Sequence, residues 1–326
     1  MNDIICLNEN YSTTRLLIQA DPQVIANEVK QSNKPEDKFE TVLFLPEGEG
    51  RKGEGGLRTK GYFKKSHSHC EEQSDEAIDS HVIANEVKQS IKPLISIITV
   101  VFNGEKYLEE TIQSVISQTY NNVEYIIIDG GSTDGTLDII KKYEDWIDYW
   151  VSERDSGIYD AMNKGIDVAN GEWINFMNAG DGFYNASVLK SIDFYCLEMY
   201  TVLYGNVNLI NNKNRSKEQK AGPLKDLKYI SQFCHQSCFI KIPYHKMNHY
   251  NLKYKLVSDY DFFRNAYFSS EKFKYLDQII SNFNTNGQSS NVKKVYLENL
   301  KVSKYKLENI IFNIFNIFKL VVLKRF

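Results

Sequence analysis

The sequence lacks several features that would place it in common functional classes. It has no run of about 18 uncharged apolar residues, which argues against a conventional membrane-spanning helix. Its first residues, MNDIICLNENYSTTR, contain no basic stretch followed by an apolar core, so they do not predict a secretory signal. The net charge of −3 argues against a nucleic-acid-binding protein that depends on bulk positive charge. The five cysteines are odd in number and scattered, which favours reduced thiols in the cytosol.

The charge is distributed unevenly along the chain. Residues 1–200 hold 18 basic and 34 acidic side chains, whereas residues 201–326 hold 21 basic and 8 acidic ones. Solvated surface lysines are the simpler interpretation. The alternative is a carboxyl-terminal face that meets an anionic partner, such as a phosphate-bearing substrate or an acidic membrane surface.

The first 92 residues differ from the rest of the chain. The segment VIANEVKQS occurs at both 24–32 and 82–90. Two identical copies separated by unrelated sequence indicate a recent duplication of DNA rather than a stacked structural repeat. The glycine-rich segment Pro46–Gly61 predicts a flexible loop. We therefore expect residues 1–92 to form an irregular extension that is poorly packed, poorly ordered and free of catalytic residues.

From Pro93 onward, apolar strand-like runs alternate with helical patterns. The runs predict strands at Leu94–Phe102, Val123–Ile128, Tyr149–Ser152 and Glu172–Met177. Helices are predicted at Glu105–Gln118, Thr136–Tyr143, Ile158–Ala169 and Ser258–Phe268. The alternation indicates an α/β protein with a Rossmann-like, mostly parallel sheet flanked by helices.

Polar clusters follow the ends of these predicted strands, where parallel sheets bind their ligands. They are Asn103, residues 129–134, residues 153–157 and residues 178–181. Carboxylates and backbone amides in such turns suit a ribose, a base edge or a metal that bridges to phosphate. For Asp129 alone, a helix cap is the simpler interpretation. The functional assignment therefore depends on the whole set.

The order and content of the set make the chain resemble the family 2 glycosyltransferases. The matching stretches are ISIITVVFNGEKYLEETIQSVISQTY (95–120), VEYIIIDGGSTDGTLDII (123–140), DSGIYDAMNKGIDVANGEWINFMNAGD (155–181), HQSCFI (235–240) and SDYDFF (258–263). The resemblance covers residues 93–290 and implies the GT-A fold. Within it, residues 93–205 would form the donor half and residues 206–290 the acceptor half.

The resemblance also implies roles for individual residues. Donor-binding positions are Thr99, Phe102, Asn103, Glu105, Asp129, Ser132, Asp134, Asn163 and Lys164. Asp259 in SDYDFF matches the family's catalytic base, with Asp261 as the competing candidate. Asp181 matches the last aspartate of the metal-binding motif. His235 is expected to line the acceptor side, and a buried structural histidine is an equal alternative.

The implied activity is that of an inverting, hexosyltransferase-type enzyme. It would move a sugar from a nucleotide-sugar donor, expected to be a UDP-sugar, to a hydroxyl of a glycan or lipid-linked acceptor in bacterial cell-surface polysaccharide biosynthesis. A divalent cation, Mn or Mg, would meet the charge of the leaving diphosphate, and one carboxylate would take the acceptor proton. The alternative is a catalytically impaired nucleotide- or glycan-binding protein of the same fold, because Gly130 and Gly180 stand where members usually carry acids.

Residues 291–326 predict an amphipathic helical tail. Its end, IIFNIFNIFKLVVLKRF, carries a narrow polar stripe among isoleucine, phenylalanine, leucine and valine. Packing on its own domain is the default for such a helix, and peripheral contact with a membrane is the alternative. We accordingly expect a cytoplasmic protein without a nucleic-acid partner, with the inner face of the cytoplasmic membrane as the alternative location.

Overall fold

The computed structural model describes residues 4–5, 17–19, 43–64, 92–211, 215–285 and 292–302. Both copies of VIANEVKQS and the predicted helix beyond Val302 lie outside these residues, so the predictions for them, like the domain boundaries, stay predictions. The strands are β1 Ile4–Ile5, β2 Leu17–Gln19, β3 Gly53–Gly55, β4 Tyr62–Phe63, β5 Ile95–Val101, β6 Val123–Asp129, β7 Tyr149–Ser152, β8 Trp173–Phe176, β9 Gly182–Phe183, β10 Val202–Ile210, β11 Ser216–Gln219, β12 Cys238–Lys241 and β13 Phe273–Asn284.

Six α-helices lie in the described part of the chain. They are α1 Leu108–Ile116, α2 Thr136–Lys142, α3 Ile158–Val168, α4 Ile242–Met247, α5 Ser258–Phe268 and α6 Val292–Val302. Short 3-10 helices lie at Arg58–Lys60, Glu144–Trp146, Leu189–Ser191, Leu224–Lys228 and His235–Ser237. No helix in these residues combines the length and the apolar character needed to span a membrane.

One sheet of ten strands organises the molecule. Its strand order is β3-β7-β6-β5-β8-β12-β10-β13-β9, and β11 pairs with β10. Strands β7, β6, β5 and β8 run parallel, as predicted. Strand β12 then reverses the direction beside β8, and β10 and β13 form a second parallel pair. The short strands β1, β2 and β4 form a separate antiparallel sheet.

Helices cover both faces of the central strands. Strands β5 and β6 are buried at every position, which explains their continuous apolar sequences. On one face, Ile98 shares a hydrophobic core with Met162 and Ile166 of α3. On the other face, Ile97 shares a core with Ile112 of α1. The predicted mostly parallel sheet with flanking helices is therefore confirmed.

The prediction of a poorly packed loop at Pro46–Gly61 is wrong. Strand β3 pairs with the edge strand β7, and Gly56 packs so closely that an added Cβ would lie 2.7 Å from the Ile147 carbonyl oxygen. Arg58 forms an ion pair of 2.5 Å with Glu124, and both side chains are 2% exposed. Lys64 forms a second buried ion pair, with Asp148. The glycines allow close approach to the sheet, and the cations pair with acids buried within it.

The first part of the carboxyl-terminal segment packs on the rest of the chain. Val302 of α6 is buried in the core that contains Tyr260 and Phe263 of α5. Glu298 accepts hydrogen bonds from the backbone amides of Leu256, at 2.8 Å, and Lys255, at 3.1 Å. For α6, these contacts favour packing within the protein.

Candidate active site

Two loops meet at the carboxyl ends of β5 and β6, and we call residues 102–105 and 129–135 the loop pair. The Asn103 amide donates to Ser132 Oγ at 2.7 Å, and Asn103 Oδ1 accepts from the Thr133 amide at 2.9 Å. The Gly135 amide donates to Glu105 Oε2 at 3.2 Å, and the Glu105 amide donates to Asp134 at 3.1 Å. Asn103 adopts a φ of 51°, a left-handed conformation that these bonds stabilise. The structure thus brings together six predicted donor-side residues: Phe102, Asn103, Glu105, Asp129, Ser132 and Asp134.

Asp129 lies inside this loop rather than on its surface. Its carboxylate accepts hydrogen bonds from the Ser132 amide at 3.0 Å, from the Ser132 hydroxyl and from the Ser152 hydroxyl at 2.5 Å. The side chain is fully buried. The expected contact between Asp129 and a nucleotide base therefore does not fit this arrangement, in which Asp129 fixes the shape of the loop.

A carboxylate does lie beside Gly130, but it comes from another loop. An added Cβ at Gly130 would lie 2.3 Å from Asp155 Oδ2. Asp155 Oδ1 accepts from the Gly157 amide at 2.8 Å, and burial raises the pKa of Asp155. A carboxylate therefore lies beside position 130 although the residue there is glycine. The sequence placed Asp155 in the polar cluster 153–157 but gave no signal of this contact.

Three predicted donor-binding residues are engaged elsewhere in the protein. The Thr99 side chain is fully buried, and its hydroxyl bonds the Met177 carbonyl at 2.8 Å, so the expected contact with a nucleotide is wrong. The Asn163 amide group pairs with both backbone groups of Tyr250, each at 2.9 Å, and therefore joins α3 to that loop. Lys164 donates to Glu153 Oε1 at 2.6 Å and to the Arg154 carbonyl oxygen at 3.0 Å, so its ammonium group is engaged by residues that follow β7.

Asp259 and His235 form a coupled pair on the other side of the site. His235 Nδ1 lies 2.9 Å from Asp259 Oδ2, and the Tyr159 hydroxyl donates to Asp259 Oδ1 at 2.8 Å. The Asn178 amide nitrogen lies 2.9 Å from His235 Nε2. When Asn178 donates to Nε2, the ring hydrogen lies on Nδ1 and is donated to Asp259.

These contacts decide the ionisation of Asp259. Burial alone works to raise its pKa, but three effects outweigh it: the hydrogen bond from His235, the positive charge that His235 carries when protonated, and the hydrogen bond from Tyr159. The pKa of Asp259 is therefore lowered, and the side chain is an ionised hydrogen-bond acceptor at neutral pH.

Asp181 is held next to this pair by the residue that follows His235. Gln236 Nε2 donates to Asp181 Oδ2 at 2.7 Å, and the Asn284 amide donates to Oδ1 at 3.0 Å. The 3-10 helix His235–Ser237 thus positions both predicted acids through consecutive side chains. Gln236 and Tyr159 were missed from the sequence, and the only signal for Gln236 was its position next to His235. Asn178 was predicted only as a member of the polar cluster 178–181, and its contact with His235 was not foreseen.

The residues around Asp181 do not fit a divalent cation in this arrangement. Both carboxylate oxygens of Asp181 accept hydrogen bonds from protein donors, which a cation would have to displace. Across the described residues, no group of three or more His, Cys, Asp or Glu side chains is placed to hold a metal ion. Divalent cations prefer several oxygen ligands, and Asp181 alone supplies too few.

Asp181 should give the protein a pH-dependent stability. Burial raises the pKa of Asp181 to about 6, above the value of about 3.9 for an aspartate in an unfolded chain. Between about pH 4 and pH 6 the folded protein keeps a proton that the unfolded chain has released, so the contribution of Asp181 to stability declines as pH rises. We expect the unfolding free energy of the wild type, relative to that of Asp181→Asn, to fall by about 2 kcal/mol as the pH rises across this window. Thermal unfolding of both proteins at several pH values measures this change. A wild type that gains stability relative to Asp181→Asn as the pH rises would contradict this prediction.

The residues that carry both halves of the site match one family model. Residues 96–266 match the model described as "Glycosyl transferase family 2". The match contains the loop pair, Asp181, His235 and Asp259, whereas strand β3 and Arg58 lie outside it.

Relatives with similar sequences are also named as glycosyltransferases. The PGL/p-HBAD biosynthesis glycosyltransferase of Mycobacterium tuberculosis (strain ATCC 25177 / H37Ra) is 30% identical over 220 residues, which cover 65% of this chain and 85% of that protein. The putative teichuronic acid biosynthesis glycosyltransferase TuaG of Bacillus subtilis is 37% identical over 106 residues, which cover 32% of this chain and 42% of TuaG.

Solved structures share the fold. S. aureus TarS, residues 1–349, in complex with UDP-GlcNAc superposes with a TM-score of 0.52 at 20% identity, covering 64% of this chain and 65% of that one. The same protein in complex with UDP gives a TM-score of 0.51 and covers 64% of each chain. This chain therefore spans slightly less than two thirds of the length of these neighbours. At this level of identity the likeness concerns the fold, and it agrees with the predicted GT-A architecture.

Proposed function

This chain belongs to glycosyl transferase family 2, and we propose that it transfers a sugar from a UDP-sugar, with inversion, to a hydroxyl of a glycan or lipid-linked acceptor. The names of the relatives support this class of acceptor, since they refer to PGL/p-HBAD and teichuronic acid biosynthesis. The bound UDP and UDP-GlcNAc in the TarS structures support this class of donor.

The observation that carries the proposal is the geometry of Asp259. Its carboxylate is ionised and held on both oxygens, by His235 and by Tyr159, so it has a fixed orientation. In the proposed reaction the acceptor oxygen bonds to the anomeric carbon and gives its proton to Asp259. The bond from that carbon to the diphosphate oxygen breaks, and the diphosphate leaves with the electron pair. A single displacement assisted by one base inverts the anomeric carbon.

The donor side of the proposed site is the loop pair. Phe102 is 63% exposed at the end of β5 and offers a free aromatic face beside the loop. Asn103 and Ser132 hold that loop in shape, and Asp155 supplies the carboxylate next to Gly130. We assign the nucleoside to the loop pair and the transferred sugar to the space between the loop pair and the two acids Asp181 and Asp259. Dependence on Mn²⁺ or Mg²⁺ remains part of the proposal, with no step assigned to the ion.

The proposed location is the cytoplasm, and the alternative is the inner face of the cytoplasmic membrane, where a lipid-linked acceptor would be presented. The support is the excess of basic over acidic side chains in residues 201–326, which would attract an anionic lipid or phosphate-linked acceptor. In this alternative, the amphipathic sequence beyond α6 would add peripheral contact.

A screen of nucleotide sugars tests the proposed function. We expect UDP and at least one UDP-sugar to raise the melting temperature of the full chain. We also expect that donor to be hydrolysed or transferred, because the proposed site holds an oriented base together with the loop pair. The assay is run with Mn²⁺, with Mg²⁺ and with a chelator, which measures the metal dependence directly. Binding of nucleotide without turnover of any donor would instead indicate a binding protein of the same fold.

A further inference from the structure

Residues 43–64, which we call the edge segment, contact the loop pair although they lie outside the family match at 96–266. The segment adds β3 to the free edge of β7, in register from Gly53 opposite Ser152 to Gly55 opposite Trp150. Strand β7 ends at Ser152, whose hydroxyl bonds Asp129. The edge segment therefore reaches the carboxyl end of the sheet, where loop 129–135 lies.

Lys52 holds the outer side of that loop. Its backbone amide donates to the Ser152 carbonyl oxygen at 2.7 Å. Its ammonium group donates to the carbonyl oxygens of Gly131, at 2.9 Å, and Ser132, at 2.6 Å. Asp129 bonds the same loop from the inside, so residues 131–132 are fixed from two sides.

Arg51 acts on a second element of the donor side. Its guanidinium donates from Nε at 2.9 Å and from Nη2 at 2.6 Å to Glu153 Oε2, and Lys164 donates at 2.6 Å to the other oxygen of the same carboxylate. Burial works to raise the pKa of Glu153, but Lys164 and Arg51 outweigh it and the pKa is lowered. Glu153 therefore fixes Lys164 to the edge segment through two charge-assisted contacts.

We propose that the edge segment is a positioning element of the nucleotide site, in which Lys52 holds loop 129–135 in the shape that receives the nucleoside diphosphate. The proposal rests on the proposed glycosyltransferase function for its ligand. Without the ammonium group the two carbonyls would lose their donor, and the loop would have to be ordered by the nucleotide itself. That ordering cost lowers affinity even when no direct contact with the ligand is lost.

The test compares Lys52→Met with Lys60→Met in the full chain. Methionine keeps the aliphatic stem of lysine and removes its charge. Lys60 is the matched control, because it lies on the same segment and pairs with Asp145 at 2.7 Å, away from the loop. Two quantities are measured: amide hydrogen exchange of residues 129–135 without ligand, and the Kd of UDP by calorimetry.

We expect Lys52→Met to speed exchange in the loop and to raise the Kd of UDP by about fivefold, with the melting temperature unchanged. Lys60→Met should alter neither quantity. Equal exchange rates in the two variants would overturn the positioning role whether or not UDP binds. Faster exchange with an unchanged Kd would overturn its effect on nucleotide binding. A wild type that binds no nucleoside diphosphate, with the exchange difference present, would overturn the proposed function and the nucleotide role with it.

Discussion

Replacing Asp259 with Asn should lower the rate of sugar transfer by about 10² to 10⁴-fold and leave the Kd of UDP within about twofold of the wild-type value. The change removes the only proton acceptor that we assign to the acceptor hydroxyl. It keeps the size of the side chain. The side-chain donors to Asp259 are His235 and Tyr159, which lie outside the loop pair, so the proposed nucleotide site should be unchanged. Steady-state transfer assays with the donor from the screen, together with calorimetry for UDP, measure the two effects separately.

Asp261→Asn is the matched control for this prediction. Asp261 lies on the same helix, α5, two residues after Asp259, and was the competing candidate for the base. We expect this variant to keep transfer within about threefold of the wild type, as for a change that removes no assigned proton acceptor. Loss of transfer in Asp261→Asn with normal turnover in Asp259→Asn would reverse the assignment. Similar losses in both, with a matching fall in UDP affinity, would indicate a disturbed fold.

Arg58→Met should lower the free energy of unfolding by about 3 to 5 kcal/mol. The guanidinium pairs with Glu124 at 2.5 Å inside the protein, and methionine leaves that acid buried without its cation. Ser96 Oγ at 2.5 Å and the Asn170 amide at 2.9 Å still donate to Glu124, but neither carries a charge. Denaturant unfolding measures the free energy, and thermal unfolding should show a fall of about 10 °C.

A double variant separates the loss of the pair from the loss of packing. Adding Glu124→Gln to Arg58→Met removes the unpaired charge, so most of the stability should return. Lys60→Met, which breaks the solvent-accessible pairs of Lys60 with Asp145 at 2.7 Å and with Glu144 at 3.9 Å, should change the unfolding free energy by less than about 1 kcal/mol. If Arg58→Met were as mild as Lys60→Met, the edge segment would not be packed on the sheet as described.

Local sequence predicted the centre of the sheet because each strand there is buried on both faces. The runs around Ile95–Val101 and Val123–Asp129 have no polar face to obscure them. The prediction for the edge segment failed for the opposite reason. Its glycines and charges resemble a solvated loop, and their meaning appears only when Arg58 meets Glu124, 66 residues later in the chain. Pairing over such distances leaves no periodic signal.

The site shows the same division between local and distant information. Linear motifs singled out Asp181, His235 and Asp259, and the structure brings these three together around the 3-10 helix His235–Ser237. Motifs could not show that Thr99 points into the core or that Asp129 is saturated by serine donors. The partner of Asp259 on α3, Tyr159, lies 100 residues away.

The two ends of the edge segment's connection to the sheet lie at one place. Lys64, the last described residue of the segment, donates from its ammonium group to the Val123 carbonyl oxygen, and the Lys92 carbonyl oxygen accepts from the neighbouring Asn122 side chain at 2.7 Å. A chain that leaves and rejoins a fold at the same turn can vary in length there, because the entropy of closing a loop grows only with the logarithm of its length. The second copy of VIANEVKQS, at 82–90, lies between these two residues in the sequence. Because Lys64 and Lys92 both lie beside this turn, a change in the number of residues between them need not alter the contacts of the edge segment with loop 129–135.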